Sequence, residues 1–174
     1  MITAKNPINI IAAVGLGLGG VFGVAGTFVA QPTLQAVLWA IDGAGLVMAA
    51  AILSLKYFRT GQVIVAAGFM IFAIAEAVIM SGTAAGPAAS VPSFAAGTAL
   101  WATALLLISI PKEFALPVRL SGLVSAVLFF VVAGRIFGGE QLLPTSAPLP
   151  FFAYPLLVMT FVGWIWSVLR EPTS

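Results

Sequence analysis

The chain contains no cysteine and no histidine, and only 7% of its residues are charged. Each shortage removes a class of chemistry. Without cysteine there is no disulfide, no thiolate nucleophile and no iron–sulfur ligand. Without histidine there is no His-ligated haem or zinc, no imidazole acid–base catalysis and no Ser–His protease. Aspartate is almost missing too, since Asp42 stands alone. That excludes a protease built on two intramembrane aspartates. No cofactor is expected, no metal site, and no set of catalytic residues.

The scarcity of charge also decides the solvent. A soluble domain carries roughly 25% charged residues. Here 61% of the 174 residues are hydrophobic, so the outer surface must face lipid. The net charge of +2 comes without any run of Lys and Arg, so no nucleic-acid partner is expected.

What is present is a series of long apolar stretches. A spanning helix needs about 20 mainly apolar residues. Six stretches qualify, over 8–29, 33–54, 62–82, 91–110, 118–137 and 151–169. Proline and glycine mark the breaks, as at Gln31-Pro32, Gly86-Pro87, Pro111 to Pro117 and Gly138-Gly139. Backbone groups cannot go unpaired in hydrocarbon, and segments this long are helices, not barrel strands. The expected fold is all-α: one domain over 1–174, a single bundle of six transmembrane helices. The first stretch follows Lys5, as a signal peptide would. Its length, and the poor cleavage site at Phe28-Val29-Ala30, predict a retained helix instead.

Basic residues set the expected orientation. Lys5, Lys56, Arg59, Lys112, Arg119 and Arg170 all fall at one end of an up-and-down bundle. Both termini are therefore expected to be cytoplasmic. Trp164 and Trp166, near Arg170, read as an interfacial belt on that side. The short loops suit a multi-pass protein of a bacterial inner membrane, with the bilayer as first partner. Leu38-Trp39-Ala40 recurs as Leu100-Trp101-Ala102, a pattern compatible with a duplicated hairpin.

Gly15-x-Gly17-x-x-Gly20 matches a dinucleotide-binding pattern. It lies inside an apolar helix without a preceding strand, so that reading is rejected. The informative spacing is Gly15, Gly19 and Gly23, which form a groove on one helix face. The groove suits tight packing within the bundle, or an oligomer face for a second copy or another membrane subunit.

The sharpest feature is a set of ionisable residues inside the apolar stretches: Asp42, Glu76 and Arg135. Such residues are expensive in a bilayer and suggest a functional site. At 1.5 Å per residue, Asp42 lies about 13 Å, Glu76 about 9 Å and Arg135 about 3 Å below the end opposite the basic turns. On that arithmetic Arg135 pairs with Glu76. Asp42 is left as the deeper carboxyl, the kind of group a proton- or cation-coupled site requires. A purely structural clamp is the competing reading. Trp39, Trp101 and Tyr154 are candidates for a cavity lining around Asp42. Pro155, about five residues into the last stretch, is expected to kink that helix.

No lysine sits deep enough for a retinal-type Schiff base, and no loop is long enough for a nucleotide-driven motor. Three functional readings remain. The first is a small transporter or channel with an outward polar site, proton- or cation-coupled through Asp42, Glu76 and Arg135. The second is an accessory or assembly subunit docking through the glycine face. The third, and weakest, is a lipid-modifying enzyme using Glu76 or Asp42 as acid or base.

Overall fold

The structure, a computed structural model, describes residues 6–86 and 89–170. Lys5 and Pro87 lie outside the described residues. Among the described residues, six helices are long and apolar enough to cross a membrane. They are α1 (Pro7–Phe28), α2 (Pro32–Arg59), α3 (Val63–Thr83), α4 (Val91–Ser109), α5 (Leu116–Phe137) and α6 (Tyr154–Arg170). A short 3₁₀ turn, Phe151–Ala153, leads into α6.

The largest departure from the expected boundaries is at the end of α2, which runs on to Arg59. Hydropathy stops at the first charges, whereas a backbone helix continues through the interface. At 28 residues, α2 is about 42 Å long, more than the roughly 30 Å of a hydrocarbon core. Pro155 does not kink α6. It sits in the first turn of that helix, where its missing N–H costs nothing.

Each helix packs on its neighbours in sequence, and α6 closes back on α1. The result is a ring of six antiparallel helices. Among the described residues, opposite helices stay more than 8 Å apart at Cα, so side chains must fill the middle. Near the basic turns aromatic rings do so. Trp164 of α6 meets Phe69 of α3 at 5.0 Å, Phe161 at 5.6 Å and Phe72 at 6.0 Å between ring centroids. Tyr57 stacks on Phe69, and Phe114 from the α4–α5 turn covers both. Trp164 is thus a core residue, 1% exposed, and not part of an interfacial belt. Trp166 lies on the outer surface of the bundle. It is 59% exposed, and the Arg170 guanidinium lies 3.9 Å over its ring.

Up-and-down connectivity brings Lys56, Arg59, Lys112, Arg119 and Arg170 to the same end. Several of them also hold the ends of helices. Arg119 donates to the carbonyls of Ser109 and Ile110, the last turn of α4, at 2.8 Å each. Lys56 Nζ donates to Asn9 Oδ1 at 3.1 Å, and Asn9 Nδ2 donates to the Val168 carbonyl at 2.7 Å. Asn9 is buried and links α1, α2 and α6 where the ring closes. The Asn9→Leu variant is expected to lose about 1–2 kcal/mol, the size of a buried interhelical hydrogen bond. Thermal unfolding in mild detergent measures it, and an unchanged midpoint would show that the ring closes without this link.

Candidate functional site

Away from the basic end the ring is not filled. A cavity of about 350 Å³ lies there, walled by α1, α2, α3, α4 and α6. Two carboxyl side chains line it: Asp42 from α2 and Glu76 from α3. The antiparallel register of these helices makes them meet. Asp42 is ten residues into α2, and Glu76 is seven residues before the end of α3, so both lie about 10–15 Å from the same end of the bundle.

Glycine on α1 makes room for the first acid. A methyl group added at Gly23 would lie 2.9 Å from Asp42 Oδ2 and 3.1 Å from its carboxyl carbon. Real carbon atoms do not approach so closely, so only glycine leaves Asp42 its place. Gly26 admits the Trp39 indole in the same way. Lower on the face, Gly15 lies against the Gly45 carbonyl and Ala49, and Gly19 against Leu46. The groove of Gly15, Gly19 and Gly23 is therefore filled by α2 of the same chain. It is a packing face within the bundle and, at Gly23, part of the cavity wall.

Gly23→Ala is expected to displace the Asp42 carboxyl while leaving the fold intact. Activity or ligand binding at the site should fall about tenfold with little change in unfolding temperature. A loss of stability matching the loss of activity would count against a specific role for this contact.

Glu76 is the more enclosed acid, 2% exposed, whereas Asp42 is half-buried. Glu76 Oε1 has no hydrogen-bond partner among the described residues. The Trp101 indole N–H, in the same cavity wall, has no hydrogen-bond partner among the described residues either. Both acids open onto the same cavity. Among the described residues no Lys or Arg lines the cavity.

Trp39, Trp101 and Tyr154 all line this space, as do Phe94 and Phe161. Trp101 is fixed from behind by Phe129 at 5.1 Å and Phe72 at 6.1 Å. Tyr154 donates its hydroxyl to the Pro144 carbonyl at 3.0 Å, which ties the start of α6 to the preceding loop. Hydropathy and charge spacing gave no signal for Gly23, Phe94 or Phe161 as parts of one site. Their juxtaposition comes from helix packing.

The structure corrects the expected position of Arg135. Its side chain is held by Glu140, just beyond α5, and among the described residues it makes no ion pair with Glu76. Arg135 Nε donates to Glu140 Oε1 at 3.0 Å, and its Nη2 lies 2.6 Å from Glu140 Oε2. Both groups are exposed, so the pair is a surface bridge of small energetic weight. The guanidinium hydrogen bond holds the Glu140 carboxyl below its ordinary range. Whatever this bridge contributes is therefore complete at neutral pH, and is lost only as acid passes that lowered value.

Among the described residues no three His, Cys, Asp or Glu side chains come together as a metal-binding group. Comparison with known protein families, with curated proteins and with solved structures finds no match to this chain.

Proposed function

We propose that the chain is a small membrane transporter in which Asp42 and Glu76 form the coupling site for a cation or a proton. The observation that carries this reading is Glu76: a buried carboxyl with one oxygen unpartnered among the described residues, in a cavity that it shares with a second acid and that no described basic residue lines. Two acids in such a place need positive charge to balance them. Protons and cations are the mobile species that supply it, and they compete for the same oxygens.

Two further observations support transport over the accessory-subunit reading. Asp42, in the cavity wall, is half-buried and not sealed in as Glu76 is, as a site loaded from outside the bundle requires. The glycine groove is occupied by α2 and is not free to dock a partner. By the positive-inside rule the basic end is assigned to the cytoplasm, which places both termini there and turns the cavity outward. A bacterial-type inner membrane suits the short loops.

Flux in liposomes tests the proposal. The purified protein is reconstituted with an acidic lumen holding a pH-sensitive dye. Inorganic and organic monovalent cations are then added outside, one at a time. A cation that enters in exchange for protons makes the lumen more alkaline. The expected result is alkalinisation with the natural chain, its loss in Asp42→Asn, and its persistence in Arg135→Ala. If no cation raises luminal pH faster than in Asp42→Asn liposomes, transport through this site is ruled out.

A further inference from the structure

The cavity's walls narrow down what the acids hold. Its volume of about 350 Å³ is roughly ten times the ~30 Å³ of a water molecule in the liquid. It falls at the small end of the range for organic ligands, about 300–1,000 Å³. A bare metal ion uses a small part of such a space. Hard cations such as calcium also ask for about six to eight oxygen ligands. This wall offers two carboxyls; its hydroxyls, on Thr27, Thr83 and Tyr154, already donate to backbone carbonyls, and much of the rest is aromatic and aliphatic, with Trp39, Trp101 and Phe161 among it. Indole and phenyl faces attract a weakly hydrated organic cation, the more so when water is excluded.

We propose that the ligand is an amphiphilic organic cation: a quaternary or protonated amine bearing an apolar group about the size of one ring. Its charge sits between Asp42 and Glu76. Its apolar part lies against Trp39, Trp101 and Phe161. The unpartnered Glu76 oxygen is the group that meets the cation at the deep end. The claim that this ligand crosses the membrane rests on the transport reading; the claim that it binds does not.

The probe is radiolabelled benzyltrimethylammonium, whose charge is independent of pH. Binding is measured at equilibrium in lipid nanodiscs, with no gradient, at mildly alkaline pH. The expected result is saturable binding, weakened about tenfold or more by Glu76→Gln and by Asp42→Asn, the effect of removing a charge-assisted contact. In the natural chain binding should also weaken as pH falls, because protons compete for the carboxylates while the probe keeps its charge. That second measurement needs no variant, so misfolding of a variant cannot mask the answer. Absence of saturable binding overturns the proposal, as does binding indifferent to both acids and to pH. Acid-dependent binding of labelled sodium, with none of the organic probe, overturns it in favour of an inorganic ion. Binding without flux in the liposome assay upholds the ligand class and removes transport. Cation-driven flux without probe binding removes the ligand class and leaves transport standing.

Discussion

Glu76→Gln is expected to lower cation-driven proton movement by about a hundredfold or more, while leaving the protein as stable as before or more so. The two halves of that result have one cause. Glu76 is 2% exposed and one of its oxygens has no partner. Burying a polar group without a hydrogen bond is unfavourable, and burying its charged form more so. A neutral amide of the same shape removes much of that penalty. It also removes the ability to exchange a proton for a cation. A residue that weakens the fold and is needed for activity marks a site kept for its chemistry.

The measurement is flux in liposomes beside thermal unfolding in the same detergent. If Glu76→Gln keeps its flux, the acid pair is not the coupling site. If flux and stability fall together, the carboxyl is structural. Asp42→Asn should behave like Glu76→Gln, and the double variant should be no worse than the worse single one. Groups that act as a unit lose their function once, so their effects do not add.

Trp164→Ala should do the reverse and cost about 3–5 kcal/mol of stability. Trp164 is 1% exposed and lies among Phe69, Phe72, Phe114 and Phe161. Backbones across the ring do not touch, so this indole is much of what joins α6 to α3. Its removal opens a void that rigid rings cannot collapse to fill. Packing forces matter all the more where lipid supplies no hydrophobic drive between helices. Trp164→Phe should recover most of the loss, and Trp166→Ala, on the exposed face, should change stability by no more than about 0.5 kcal/mol. Thermal unfolding in detergent decides it. A Trp164→Ala protein as stable as Trp166→Ala would mean that the aromatic centre does not hold the ring together.

Much of this protein follows from hydropathy and charge alone. Each span is its own run of apolar residues, and the backbone must satisfy itself within that run. The all-helical fold, the six long helices and most of their ends are therefore local properties. So is the clustering of basic residues at one end, because short turns force neighbouring helices to alternate. Asp42 and Glu76 stood out as ionisable residues in apolar stretches, with no structure needed to find them.

Tertiary packing decided which groups meet. Linear depth along separate helices paired Arg135 with Glu76, but depth carries no information about which way a side chain points around the axis. The packed ring sends Arg135 outward to Glu140 and puts Glu76 and Asp42 in the wall of one cavity. The glycine spacing on α1 announced a close neighbour without saying which one; contact with α2 fixes it and makes Gly23 the seat of the Asp42 carboxyl. Trp164 and Trp166 are two residues apart and alike in composition, yet the helical turn between them puts one in the core and the other outside. Direction around a helix axis depends on every neighbour at once, so it is settled only when all six helices have packed.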